Sequence, residues 1–379
     1  MSFLCFVLVA LLAGQMPPPD APLSAALADL NNGHVLESIQ QLKQLVRSNP
    51  DNGPAWFYLS TLYTEMKEYA FAERYLQRAM QAGPKGAAHY YQLGIIRYRQ
   101  SQWRPALESF EQGLAIGSGQ NDASVWRSIG DVQVELFDRE AALRAYTEAL
   151  RIQPDDARTR LALGRFYLQR GEAGTAIKQL NAALEIDPSL RAAYPVLGRA
   201  HLQAGEYPSA VTVLRKALES DPADQESRYA LGRALLAMGS GDEGREELDK
   251  YERIRQQVVT ADKHYKDALS RLAAGKFSEA ESLLRETLRL APAYGPALQS
   301  LGTLLLDQGS PEKALGFLQR AVEANPLNAA AWYGLGAAYF KRGRISEALE
   351  AAKRATVLNE DEVKYQRLLN EIQEKVKGE

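Results

Sequence analysis

The chain has 379 residues, of which 46% are hydrophobic, and its 45 basic and 47 acidic side chains leave a net charge of -2. That length fits two or three globular domains or one elongated repeat array. The near balance of charge provides no excess positive field for nucleic-acid phosphates, so nucleic-acid binding is not expected.

The chain begins with an apolar run at residues 3–14 (FLCFVLVALLAG), followed by a proline-rich linker at 15–19. As a helix the run would be about 18 Å long, which is short of a hydrocarbon core of about 30 Å. Its length suits a secretory signal with a candidate cleavage point at Ala13 and Gly14, although no Lys or Arg precedes it. We expect export to the periplasm or the extracellular space of a bacterium. An uncleaved membrane anchor at 1–14 is the alternative.

The only cysteine, Cys5, lies inside this apolar run. A processed chain would therefore contain no disulfide, no thiolate nucleophile and no sulfur-ligated metal. We expect the fold to depend on packing alone.

The rest of the chain repeats with a period of about 34 residues. Glycine recurs at 94, 130, 164, 198, 232, 302 and 336. Alanine recurs at 72, 106, 142, 176, 210, 280, 314 and 348, and proline at 50, 84, 154, 188, 222, 292 and 326.

Each unit of this repeat predicts a pair of short amphipathic helices, because its apolar residues fall at helical intervals. Glycines at 171, 205, 275, 309 and 343 lie between the two helices, where a left-handed residue would end the first one. The recurring Gly and Ala predict the closest approach of the paired helices, and the prolines end the second helix. Because one hairpin cannot bury its apolar stripe alone, successive hairpins must stack.

The pattern resembles the tetratricopeptide repeat. One copy carries Trp56, Leu59, Tyr63, Ala72, Leu76, Ala79 and Pro84, and another carries Trp332, Leu335, Gly336, Tyr339, Ala348 and Ala355. The resemblance implies an all-α fold, a right-handed superhelical α-solenoid of antiparallel helix hairpins, in about ten units.

We divide the array into a block at 20–257 (units 1 to 7), a block at 258–360 (units 8 to 10) and a capping helix with a tail at 361–379. The cap is predicted from an apolar stripe on a polar helix, formed by Tyr365, Leu369, Ile372 and Val376. Unit 7 is irregular, because residues 241–257 are strongly charged. We favour a continuous array that is locally flexible there, and a break near residue 257 is the alternative.

The sequence contains no recognisable catalytic constellation. Its four histidines, His34, His89, His201 and His264, lie in different units without a second metal ligand at helical spacing. A P-loop, a nucleophile elbow and a zinc-protease motif are absent from the sequence. We expect no enzyme activity, no cofactor and no metal.

The resemblance also implies where a partner binds, because the first helix of each hairpin lines a concave groove in this family. The fifth position of this helix is aromatic in five units, at Phe57, Tyr91, Tyr229, Tyr265 and Tyr333. Its ninth position places Arg165, Arg199 and Arg233 in successive units. Guanidinium groups suit carboxylates, so an acidic partner is one option, whereas Asp131 and Glu226 could neutralise the arginines within the fold.

The leading functional prediction is a non-catalytic scaffold that binds a protein or peptide in this groove. Two alternatives remain: a structural protein that assembles with copies of itself, and a binder of an anionic polysaccharide in the cell envelope.

Overall fold

A computed structural model describes residues 21–117 and 122–378. The predicted signal or anchor at 1–14 and the linker at 15–19 lie outside the described residues. Among the described residues, no helix is both long and apolar enough to cross a membrane.

The regular structure of the described residues is helical, and it follows the predicted hairpins. The helices of the N-terminal part are α1 (Ala21–Asn31), α2 (Val35–Ser48), α3 (Gly53–Glu65), α4 (Tyr69–Gln81), α5 (Ala87–Arg99), α6 (Trp103–Ala115), α7 (Ala123–Glu135) and α8 (Arg139–Ile152). The central helices are α9 (Ala157–Gln169), α10 (Ala173–Ile186), α11 (Ala193–Gln203), α12 (Tyr207–Ser220), α13 (Gln225–Ala237) and α14 (Gly241–Ala273). The C-terminal helices are α15 (Phe277–Leu290), α16 (Gly295–Asp307), α17 (Pro311–Ala324), α18 (Ala329–Lys341), α19 (Ile345–Leu358) and α20 (Val363–Gly378).

The described residues form two compact units. One unit comprises residues 48–253, and the other comprises residues 20–47 together with 254–379. From α3 to α13 and from α15 to α20 consecutive helices pack in pairs, and the second helix of a pair also packs on the first helix of the next. The first helices of successive pairs touch each other as well, so they form a layer of their own.

The recurring small residues lie where the predicted hairpins need them. All eight repeat alanines, from Ala72 to Ala348, are completely buried. A Cβ atom on Gly164 would lie 2.5 Å from Leu180 Cγ, and one on Gly198 would lie 2.5 Å from Leu214 Cγ. These contacts confirm that glycine sets the separation of the two helices in a hairpin, because any larger side chain would meet the facing leucine.

The turn between the helices of a hairpin contains one residue with positive φ. Gly171, Gly205, Gly275, Gly309 and Gly343 have φ between +70° and +83°, which confirms the predicted left-handed turn. In three earlier hairpins the same conformation is adopted by residues with side chains, namely Lys67, Ser101 and Phe137. A side chain in this conformation is strained by about 1 kcal/mol.

We expect Phe137→Gly to raise the free energy of unfolding by about 1 kcal/mol. Phe137 has φ +62° and is 88% exposed, so its ring contributes little packing to offset the strain. Phe137→Ala is the control, because it removes the ring but keeps the Cβ atom that causes the strain. Urea denaturation measures both variants. Equal stabilisation by the two would assign the effect to the exposed ring instead of the backbone.

Successive units are also joined by a hydrogen bond that the sequence analysis did not predict. In each case a side chain in the first turn of a first helix donates to the carbonyl of the proline six residues earlier. The donors and acceptors are Trp56 Nε1 to Pro50, Arg160 Nη2 to Pro154, Tyr194 OH to Pro188, Arg228 Nη2 to Pro222 and Trp332 Nε1 to Pro326, at 2.7–3.4 Å. The bond fixes the path of the chain between one hairpin and the next.

Unit 7 departs from the repeat because its second helix continues into the next unit. α14 is a single helix of 33 residues, where the repeat pattern predicts two. No Gly or Pro occurs between Gly244 and Gly275, so nothing in the sequence ends the helix at the expected turn. Its middle is solvated, with Val258 and Val259 more than half exposed.

The segment predicted to form a capping helix contains α20. Tyr365 and Ile372 are buried, and Leu369 packs against the core of this unit, as the apolar stripe predicts. Val376 is 46% exposed instead, because the last turn of α20 continues beyond the residues that it packs against. Leu368 is buried on the same face as Tyr365 and Ile372.

Candidate functional site

Two adjacent pockets lie along the first helices of the unit formed by residues 48–253. The larger has a volume of about 840 Å³ and lies against α7, α9 and the turn that leads into α11. The smaller, about 500 Å³, continues along α11 and α13. We call the two pockets together the central groove.

The central groove is lined by charged side chains over an apolar floor. Its charged residues are Arg127, Arg158, Arg165, Arg191, Arg199 and Arg233 together with Asp131, Glu135, Asp187 and Glu226. The arginines exceed the carboxylates by two, in a chain whose net charge is -2. The floor of the larger pocket includes Val134, Leu161, Phe166 and Leu190.

One arginine of the groove, Arg127, is fixed by an ion pair within the protein. Arg127 Nη1 donates to Asp156 Oδ2 at 2.8 Å, and both side chains are largely buried. Asp156 is also the N-cap of α9, since it accepts the backbone N–H of Arg158 and the hydroxyl of Thr159. Arg127 is therefore a structural part of the wall.

Asp131 lines the same pocket and is bound by a tyrosine. Tyr146 OH donates to Asp131 Oδ1 at 2.7 Å. Burial raises the pKa of the Asp131 carboxyl, although Tyr146, Arg127 and Arg165 act in the other direction. Burial and the nearby Asp131 likewise raise the pKa of Tyr98 to about 12 and also raise the pKa of Tyr146.

We expect Asp131→Asn to make stability less dependent on pH. Because the folded pKa of Asp131 is raised, the folded chain binds more protons than the unfolded chain from about pH 4 upward to that pKa. Asp131 thus makes the wild type less stable as pH rises through this window, and the loss is complete at pH above the folded pKa. The asparagine of the variant does not titrate, so the variant should be more stable than wild type at neutral pH, and the difference should shrink in acid.

Urea unfolding across this pH range measures the effect of Asp131→Asn. Asp155→Asn is the matched control, because Asp155 is exposed one residue before the N-cap of α9. A constant difference between Asp131→Asn and wild type at every pH would contradict the prediction.

Three arginines of the larger pocket make no hydrogen bond or ion pair through their side chains to any other described residue. They are Arg158, which is half-buried, and Arg165 and Arg191, which are exposed. Burial and, to a smaller extent, the neighbouring Arg127 guanidinium lower the pKa of Arg158, whereas the carboxylates of Asp156 and Asp187 act in the other direction.

Arg165, Arg199 and Arg233, which the resemblance places at the ninth position of successive units, all lie along the central groove. Their environments differ. Arg199 Nη1 pairs with Glu226 at 2.8 Å, and Arg233 lies 5.9 Å from the ring centroid of Tyr229. Of these three arginines, only Arg165 has no such contact with another described residue.

The five predicted aromatic residues do not share one surface. Phe57 and Tyr91 are 1% exposed, so their rings belong to the core, where Tyr91 fills the space left by Gly113. Tyr229 is 43% exposed, lies 5.1 Å from the Tyr251 ring and lines the smaller pocket.

Tyr265 and Tyr333 belong to the other compact unit and do not line the central groove. The Tyr265 ring lies 5.2 Å from Tyr294, and the Tyr333 ring stacks on Tyr365 at 5.0 Å. Both are partly buried by these contacts.

Sequence reasoning missed Arg158 and Arg191. Arg158 occupies the second position of its unit, which the family resemblance also implies to face the groove, so the sequence does contain a signal for it. Arg191 lies in the turn before α11, where helical periodicity gives no signal.

A metal centre is not indicated in the described parts of the chain, where no cluster of three or more His, Cys, Asp or Glu side chains could hold an ion.

Comparison with known families decides the class of this repeat. Two family models for the tetratricopeptide repeat match the chain, one at residues 23–87 and 300–362 and the other at 134–197, 201–272 and 271–325. Together they cover well over half of the sequence. The chain belongs to the tetratricopeptide repeat family. Proteins of this family are generally non-catalytic scaffolds that bind other proteins.

Individual relatives of this tetratricopeptide repeat protein match only parts of it. Tetratricopeptide repeat protein 8 of Caenorhabditis elegans is 26% identical over 132 residues, which is 35% of this chain and 26% of that protein. Photosystem I assembly protein Ycf3 of Synechococcus sp. (strain CC9311) is 32% identical over 87 residues, which is 22% of this chain and 50% of that protein. The chain therefore spans half or less of these relatives.

Among solved structures, the chain is similar to PilW, described as a widely conserved type IV pilus biogenesis factor. The TM-score is 0.50 at 16% identity, over 55% of this chain and 96% of PilW. This likeness supports the tetratricopeptide fold.

Proposed function

We propose that this protein is a scaffold that holds an acidic segment of a protein partner in the central groove. The observation that carries the proposal is the convergence of Arg158, Arg165 and Arg191 on one pocket without a salt bridge to any described residue. Guanidinium groups bind carboxylates through paired hydrogen bonds, and such charge-assisted bonds are among the strongest available to a protein surface.

The apolar floor of the pocket favours a peptide ligand over a purely ionic one. Leu161 and Phe166 are buried at the base of the same pocket, and Val134 and Leu190 border it. A segment that alternates acidic and apolar side chains would contact the arginines with its carboxylates and the apolar floor with its other side chains. Apolar contacts also add affinity that salt does not screen.

The experiment uses labelled peptides of defined composition and fluorescence anisotropy. The probe is a peptide that alternates Glu and Leu, and its controls are the same peptide with Lys in place of Glu and with Ser in place of Leu. We expect the Glu–Leu peptide to bind at least about tenfold more tightly than either control, since each removes one class of contact.

Each outcome decides between ligands. Equal binding of the Glu–Leu and Lys–Leu peptides would overturn the acidic specificity. Stronger binding of polygalacturonate than of the Glu–Leu peptide would favour an anionic polysaccharide. Concentration-dependent dimers in light scattering, with no peptide bound, would favour self-assembly through this surface.

We also propose that the protein is exported, on the basis of the apolar run at residues 3–14. Expression of the full chain in a bacterium, followed by fractionation and N-terminal sequencing, tests this. We expect a periplasmic chain that starts shortly after Gly14. Full-length protein in the cytosol would contradict export, and full-length protein in the membrane fraction would indicate an anchor.

A further inference from the structure

The first hairpin, α1 and α2, belongs to the compact unit formed by the C-terminal repeats. In a tetratricopeptide array each hairpin stacks on its neighbours in sequence, so contacts are local. Here residues 20–47 share a unit with residues 254–379, from which more than two hundred residues of chain separate them. This grouping requires a specific attachment.

The buried face of α2 carries a lysine at its centre. Ile39 and Leu42 are completely buried, Val46 is 4% exposed, and Lys43 between them is 3% exposed. Burying an ammonium group is strongly unfavourable unless a carboxylate accompanies it. The hairpin can therefore dock only where an acidic side chain meets Lys43.

Glu360, in the turn between α19 and α20, is that side chain. Its Oε2 lies 3.3 Å from Lys43 Nζ and 3.6 Å from Arg47 Nη2. Lys43 is the enclosed partner, whereas the Arg47 side chain is 70% exposed and adds a second, solvated charge. An apolar face would tolerate several docking positions, but a buried charge tolerates only the one that supplies its partner.

We propose that the α1–α2 hairpin is a cap that docks on the C-terminal repeats of the same molecule, and that the Lys43–Glu360 pair selects its position. The pair links the first described hairpin to the end of the last repeat. When the pair is lost, the backbone amides at the end of the last repeat exchange faster with solvent.

Charge reversal in the full chain tests whether the Lys43–Glu360 pair selects the docking position of the hairpin. Lys43→Glu and Glu360→Lys each place like charges together, and we expect each to raise amide hydrogen exchange about tenfold or more in both α2 and α19. The double variant restores opposite charges and should return exchange close to wild type, because Arg47 can turn into solvent. Arg289→Glu with Glu286→Arg, an exposed pair on α15 in the same unit, is the matched control and should leave both helices unchanged.

The outcomes that overturn the proposal are distinct. Faster exchange in α2 alone would mean that the hairpin does not protect the C-terminal repeats. Amide exchange as fast in the double variant as in the single variants would mean that the Lys43–Glu360 pair does not select the docking position.

A second measurement distinguishes docking within one molecule from docking between two copies. Carbodiimide joins Lys43 to Glu360 as an amide in a mixture of ¹⁵N-labelled and unlabelled chains, and mass spectrometry reads the linked peptides. Linked peptides of a single isotope are expected. Mixed-isotope pairs would show that a second copy supplies the hairpin and would overturn the proposal.

Discussion

Gly130→Ala is expected to lower the free energy of unfolding by about 3 kcal/mol. A Cβ atom at this position would lie 2.5 Å from Cε1 and 2.6 Å from Cδ1 of Tyr146. The Tyr146 ring is 2% exposed and its hydroxyl is bound to Asp131, so it cannot move aside without breaking that hydrogen bond. The added methyl therefore forces α7 and α8 apart.

Gly174→Ala is the matched control for Gly130→Ala. Gly174 is also helical, but apart from its chain neighbours and its own helix backbone no atom lies within 4 Å of the Cβ that alanine would add. Alanine is favoured over glycine in a helix by up to about 1 kcal/mol, so this variant should be neutral or more stable. Urea denaturation measures both variants. A similar change in the two would mean that helix propensity, and not the contact with Tyr146, governs position 130.

Reversing the three unpartnered arginines is expected to weaken binding of the Glu–Leu peptide by at least about a hundredfold. The variant is Arg158→Glu, Arg165→Glu and Arg191→Glu together. It removes the charge-assisted hydrogen bonds and adds repulsion, and each charged hydrogen bond contributes about 1.5–3 kcal/mol. Anisotropy titrations at several salt concentrations measure the loss; added salt should weaken wild-type binding, whereas it should strengthen the residual binding of the variant by screening the repulsion.

The matched control changes the net charge equally at another surface. Arg104, Arg139 and Arg144 are exposed on the second helices α6 and α8, so Arg104→Glu, Arg139→Glu and Arg144→Glu should leave peptide affinity within about threefold. Equal losses in both triple variants would indicate a long-range effect of net charge, and the central groove would then not be the binding site.

The repeat itself could be predicted from the sequence because its determinants are local. Gly164 and Ala176 mark a close helix approach wherever they recur, and Gly171 marks the turn between them. Phe137 shows the limit of this reasoning, since the left-handed turn forms there without glycine when both flanking helices are held by packing.

The candidate site could be predicted only in part, because pairing depends on contacts between units. Arg165 and Arg199 look equivalent in the repeat, yet Arg199 pairs with Glu226 of the next unit and Arg165 lines an open pocket. The attachment of Lys43 to Glu360 joins residues more than three hundred positions apart. Periodicity contains no information about either contact.

The hydrogen bonds to the proline carbonyls show which property of the repeat must be kept and which can vary. Indole, guanidinium and phenol groups serve at the same position, in Trp56, Arg160 and Tyr194. They share little in size, charge or aromatic character, but each carries an N–H or O–H that reaches the carbonyl six residues back. The three residue types are therefore interchangeable at a unit boundary. A residue without an N–H or O–H that reaches this carbonyl would leave the connection between two hairpins less firmly fixed.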